Sequence, residues 1–173
     1  MMAEQPPTGE GGSGPRVHIR AATIADAPQV ASLLLASFVE YRDLYTPDGF
    51  AATTPTSEEV LARMDEGPVW VALLGGSLVG TVAAVDRGED LYVRGMAVLP
   101  PARGRQIGEL LLREIEEYAR ARGYRRLTLS TTPFLHRAIR LYERFGFRRS
   151  DEGARDLFGT PLFSMVKSLV RAQ

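Results

Sequence analysis

Met96-Ala97-Val98-Leu99-Pro100-Pro101-Ala102-Arg103-Gly104-Arg105-Gln106-Ile107-Gly108-Glu109-Leu110-Leu111 joins an apolar, strand-like run directly to a long helix. Downstream, Ile107, Leu111, Ile115, Tyr118 and Ala119 recur at helical spacing, and Gly123 supplies a C-terminal stop. Gly104 and Gly108 leave backbone N–H groups uncovered at the helix start, where the helix dipole adds positive potential and Arg103 and Arg105 add charge. A diphosphate fits such a junction. The same wording also suits a turn that merely connects, so the physics alone leaves both readings open.

Working outward, Leu91 to Leu99 is the last of three strand-like runs, after Val69–Leu74 and Leu78–Val85, with tight turns at Gly75-Gly76 and Arg87-Gly88-Glu89-Asp90. This is an antiparallel meander. Ahead of it, Val17-His18-Ile19-Arg20 alternates like a strand, and Thr23 with Asp26 resembles a capping box opening a helix through about Tyr41. Tyr41 to Thr56 reads as a polar loop, and Thr56 with Glu59 opens a short helix that stops at Gly67. Beyond the long helix, Arg126–Ser130 is a strand, Ala138, Ile139, Leu141, Tyr142 and Phe145 have helical period up to Gly146, and about Leu162 to Ser168 forms the last strand. A strand-helix-strand unit added to a meander predicts an α/β fold with a mixed, mostly antiparallel sheet of six to seven strands flanked by about four helices. The expected division is a disordered, Gly/Pro-rich tail over residues 1–15 and one domain over 16–173.

Composition excludes several classes of function. The 173 residues contain no cysteine, which removes disulfides, thiolate metal sites and cysteine nucleophiles and suits a reducing, cytoplasmic setting. Lysine plus arginine and aspartate plus glutamate balance at 21 each, so no global electrostatic footprint points to nucleic acid. The apolar runs fall far short of the ~20 residues that span a membrane, and no basic-then-apolar signal opens the chain. The only histidines, His18 and His136, are separated by most of the chain, so neither a metal site nor a Ser-His-Asp hydrolase is expected.

V-L-P-P-A-R-G-R-Q-I-G-E-L-L-L, followed about thirty residues later by A-I-R-L-Y-E-R-F-G-F, resembles the GNAT superfamily of N-acetyltransferases. In that resemblance Arg103, Gly104, Arg105, Gln106, Ile107 and Gly108, with Glu109 beside them, form the phosphate-binding turn for acetyl-CoA. Gln106 stands where the family prefers glycine. Met96, Ala97 and Val98 offer main-chain groups to the pantetheine arm, which pairs like an extra strand, and the strand at Arg126–Ser130 splays away to admit it. Tyr142 occupies a position at which many members keep a tyrosine beside the CoA sulfur. This implies a general acid, where the residue pattern alone reads equally as a core aromatic. His136 lies near a position at which the family often has asparagine, though Leu135 holds the aligned place, and it either contacts the pantetheine arm or caps its helix.

The implied reaction is transfer of acetyl from acetyl-CoA to a primary amine of a small molecule, a protein N-terminus or a lysine, by direct attack in a ternary complex without a metal. A non-catalytic acyl-CoA-binding module is the alternative, and the resemblance leaves a homodimer open. Phe38, Glu40, Tyr41 and Thr131 are the acceptor-side candidates, with Tyr45 near them. Glu40 reads otherwise as solvated surface, and Thr131 as a turn residue. No carboxylate stands out as the base, and the mixture of aromatic and acidic groups suits a cationic or aromatic amine.

Overall fold

The computed structural model describes residues 16–170; the segment expected to be a disordered tail lies outside them. A seven-stranded sheet carries the architecture. Its strands are β1 (Val17–Ala21), β2 (Val69–Leu74), β3 (Ser77–Arg87), β4 (Asp90–Val98), β5 (Arg126–Thr131), β6 (Arg148–Ser150) and β9 (Phe163–Ser168). Their order is β1-β2-β3-β4-β5-β9-β6, and every pairing is antiparallel except β4 with β5. The last long strand is inserted between β5 and β6. A two-stranded ribbon, β7 (Asp156–Leu157) with β8 (Thr160–Pro161), stands outside the sheet.

Alternation along the buried strands builds two cores. Val71 faces α1 (Ala27–Phe38) and α3 (Ser57–Glu66), where Val30, Leu33, Leu34, Val60 and Ala97 pack. Trp70 and Ala72 face the other side, under α4 (Ile107–Ala121) and α5 (His136–Phe145). The inward stripe of α4 is Ile107, Leu111, Leu112, Ile115 and Ala119, all essentially inaccessible to solvent. Each of its larger side chains contributes about 1.5–3 kcal/mol by burial. Trp70 meets Tyr118 of α4 edge-on at 5.2 Å between ring centroids. Among the described residues no helix is long and apolar enough to cross a membrane.

The segment read as a loop from Tyr41 to Thr56 is partly helical: a 3-10 turn over Val39–Leu44 leads to α2 (Pro47–Thr53), which makes five α-helices among the described residues. Thr46 caps α2 by accepting the Gly49 N–H at 3.0 Å, and Pro47 occupies the first turn, where its missing N–H costs nothing. Proline, aspartate and glycine punctuate loops, but here the same residues start a helix. The helix expected through about Tyr41 instead ends at Phe38 and tightens to 3-10 geometry. Both predicted capping pairs are present, with Thr23 N–H donating to Asp26 at 2.7 Å and Glu59 N–H to Thr56 at 3.2 Å.

The irregularity that matters most lies in β4. Thr81 pairs with Ala97 and Ala83 with Arg94, so Gly95 and Met96 together stand opposite Val82 alone. Gly95 has φ +58°, which makes this a bulge built on a left-handed glycine. The parallel ladder between β4 and β5 covers only Asp90↔Arg126, Leu91↔Leu127 and Tyr92↔Thr128. Beyond Tyr92 the two strands part.

Replacing Gly95 by alanine forces a side chain into the left-handed region, at a cost of about 1–2 kcal/mol. The new Cβ would also lie 3.3 Å from an Arg63 guanidinium nitrogen. Thermal unfolding of Gly95→Ala is expected to show a melting temperature lower by about 2–8 °C for a chain of this size.

Candidate active site

Where β4 and β5 separate, a cavity of about 860 Å³ opens through the sheet. One wall is β4 from Tyr92 to Val98, and the opposite wall is the end of β5 from Leu129 to Thr132. The turn at Arg103–Glu109 forms one end, and the inner face of α5, with Ala138, Leu141 and Tyr142, borders the floor. Phe38, Tyr41 and Tyr45 close it from the side of α1. Because the parallel ladder stops at Tyr92, the β5-facing main-chain edge of β4 from Val93 to Val98 has no strand partner. Unpaired backbone at a cavity wall is a recognition surface for an extended, amide-bearing ligand.

The turn before α4 is shaped as an anion cradle. Gly104 has φ +83°, and a Cβ on it would meet nothing within 4 Å. Gln106 has φ +62° and ψ +19°, left-handed for a residue with a side chain, and stands exposed at the helix start. This conformation explains physically why glycine is favoured at that position. The first hydrogen bond closing α4 runs from Leu110 N–H to the Gln106 carbonyl at 3.1 Å, so the amides of Ile107, Gly108 and Glu109 have no acceptor within the helix. Gly108 is required for packing: a Cβ there would lie 2.7 Å from Leu141 of α5 and 3.1 Å from Met96 of β4.

Arg103 lines the cavity but is anchored. Its guanidinium pairs with Glu40 at 2.6 Å and donates to the Ser37 carbonyl at 3.3 Å, tying the turn to the end of α1. Glu40 is thereby committed to Arg103 and is not among the cavity-lining residues; Arg105 and His136 do not line it either. Met96, Ala97, Val98, Gly104, Gln106, Ile107, Gly108 and Glu109 all do, as do Phe38, Tyr41, Thr131 and Tyr142.

Tyr142 is 8% exposed and packs edge-on against Phe147 at 5.8 Å. Burial first, then the neighbouring phenols of Tyr92 and Tyr45, hold its own phenol well above the ordinary tyrosine range. At neutral pH it stays protonated. Tyr45 is also buried, with its phenol pushed up by desolvation, and its ring stands edge-on to Phe134 at 4.8 Å while Tyr41 stacks on the same Phe134 at 6.2 Å. These rings latch the 39–46 segment to the turn that follows β5.

The residues that sequence reasoning missed are mainly arginines. Arg63 on α3 and Arg87 on β3 reach the cavity, as do Arg137, Arg140 and Arg144 on α5. The helical period of α5 places 137, 140 and 144 on one face, a signal visible in hindsight. The approach of α3 to the bulge in β4 has no counterpart in local sequence.

The sequence pattern of the acetyltransferase (GNAT) family matches residues 36–147. The uncharacterized N-acetyltransferase YjgM of Escherichia coli K12 is 30% identical over 139 residues, spanning 77% of this chain and 83% of that protein. N-acetylaspartate synthetase of Danio rerio is 41% identical over 85 residues, 48% of this chain; the chain covers only 30% of that relative's length. Among solved structures, the PaiA N-acetyltransferase of Thermoplasma acidophilum in complex with coenzyme A superposes with a TM-score of 0.76 at 17% identity, covering 88% of this chain and 99% of that one.

Gln106→Gly removes about 1–2 kcal/mol of left-handed strain and adds about 0.4–1 kcal/mol of unfolded-state entropy. Denaturant titration is expected to show a net stabilisation of about 0.5–1 kcal/mol, with an unchanged m-value.

Proposed function

This chain belongs to the acetyltransferase (GNAT) family, and on that premise we propose that it transfers an acetyl group from acetyl-CoA to a primary amine within a ternary complex. The observation that carries the reading is the early end of the β4–β5 ladder beside a helix-start cradle. Both halves of the ligand are served by one cavity. The pyrophosphate meets the free amides between Gly104 and Glu109, the pantetheine arm pairs with the exposed edge of Met96 to Val98, and the thioester lies between the splayed strands.

The amine nitrogen bonds to the acetyl carbon, the carbon–sulfur bond breaks, and the departing thiolate takes a proton from Tyr142. Burial keeps that phenol protonated across the pH range in which an amine loses its own proton. The phenolate is then reprotonated from water. Glu109 is the only carboxylate lining the cavity among the described residues, and it sits at the helix start. The amine proton therefore leaves through water and main-chain carbonyls, without a dedicated side-chain base.

Calorimetry is expected to show one-to-one binding of acetyl-CoA, with adenosine diphosphate and ATP bound more weakly; absence of acetyl-CoA binding would overturn the proposal. Tyr142→Phe should lower kcat by about 100-fold, within the range for a lost general acid, with acetyl-CoA affinity nearly unchanged. Undiminished turnover would remove Tyr142 from the mechanism.

A further inference from the structure

The side chains lining the cavity include seven arginines and one acid, Glu109, although the whole chain is electrically balanced. A concentration of one charge in a recess marks what the recess receives. Arg103, Arg137, Arg140 and Arg144 stand on the turn and on α5, where the proposed cosubstrate brings its own phosphates. Arg63, Arg87 and Arg94 do not. They come from α3, β3 and β4, around the start of the cleft and toward α2.

These three differ in how their charge is engaged. Arg87 lies over the Tyr92 ring, its guanidinium carbon 3.7 Å from the centroid. Arg94 pairs with Glu66 through one terminal nitrogen, while its Nε is buried with no hydrogen-bond partner. Arg63 donates to the Ala52 carbonyl at 3.0 Å, and its other terminal nitrogen overhangs the Gly95 bulge. Burial and the nearby charge of Arg94 both disfavour its protonated form, while Glu59 and Glu66 favour it. Arg63 and Arg94 both line the cavity, Arg63 over the Gly95 bulge and Arg94 as the residue before it, and the charge of one disfavours that of the other. A planar anion held between the two guanidinium groups offsets their like charge.

Resting on the acetyltransferase reading, we propose that the acceptor is an α-amino acid whose carboxylate is held by Arg63 and Arg94, with its amino group directed into the cleft. Arg63 stands over the Gly95 bulge, where β4 and β5 have parted and the thioester is proposed to lie, which favours an anion close to the reacting amine, as in an α-amino acid. This revises the expectation of a cationic or aromatic amine: the acidic candidate Glu40 is spent on Arg103, and the groups that do reach the acceptor side are cationic. The aromatic latch of Tyr41, Tyr45 and Phe134 remains available to the side chain of the amino acid.

The test measures equilibrium binding to the full chain, without acetyl-CoA, for each common α-amino acid beside its α-amide. At least one free acid should bind at least tenfold more tightly than its amide. Arg94→Gln and Arg63→Gln should each weaken that acid about 10–100-fold, as expected for losing a hydrogen bond to a charged group, and leave the amide unaffected. Arg94→Lys should recover only part of the loss, because an ammonium lacks the fork. Equal binding of acids and amides, or no acid bound, overturns the proposal, as do acids that bind the glutamine variants as well as the native chain. Since acetyl-CoA takes no part, failure of the acetyltransferase reading appears in the cofactor titration, and failure of this one in the amino-acid titration.

Discussion

Everything in this protein that resembles a site follows from a misfit between two strands. A parallel pair needs continuous registration to keep its slanted hydrogen bonds, and β4 and β5 keep it only as far as Tyr92, ahead of the extra residue that Gly95 adds against β3. Once the ladder has ended, main-chain groups along β4 stay unpaired inside the fold, and a cavity takes the place of sheet.

The sequence made the regular parts legible for identifiable reasons. The apolar, β-rich runs of β2 and β3, the 3.6-residue period of α4 and the stops at Gly67, Gly123 and Gly146 are local signals, and local signals survive folding. The anion cradle was equally local, because helix start, glycine and arginine stand together at 103–109. What escaped reading was either non-local or ambiguous. The Thr46-Pro47-Asp48-Gly49 sequence serves a turn and a helix start with the same chemistry, and tertiary contact decided between them. Thr160 donates nothing recognisable in sequence, yet its hydroxyl accepts the Thr46 N–H at 2.9 Å from across the chain. The convergence of Arg63 and Arg94 likewise depends on α3 crossing the bulge, which no spacing encodes.

Arg103 shows how residue type can be read correctly and its task only in part. A guanidinium in a phosphate turn suggests direct contact with phosphate, and the structure instead spends two of its donors on Glu40 and the Ser37 carbonyl. The turn is thereby braced against the end of α1, the element that leads into the aromatic latch. The two ends of the cavity are joined through that one side chain, and the amides at the start of α4 are left without an acceptor inside the helix.

Trp70 adds an experimental convenience that evolution had no need to provide. It is the sole tryptophan, 5% exposed, wedged between β2 and α4 with Tyr118 on its edge. Its emission therefore arises from one environment, outside the cavity lining but in contact with α4, whose first turn borders the cavity. The intrinsic fluorescence of the unlabelled protein becomes a one-site optical gauge of how firmly that helix is seated on the sheet.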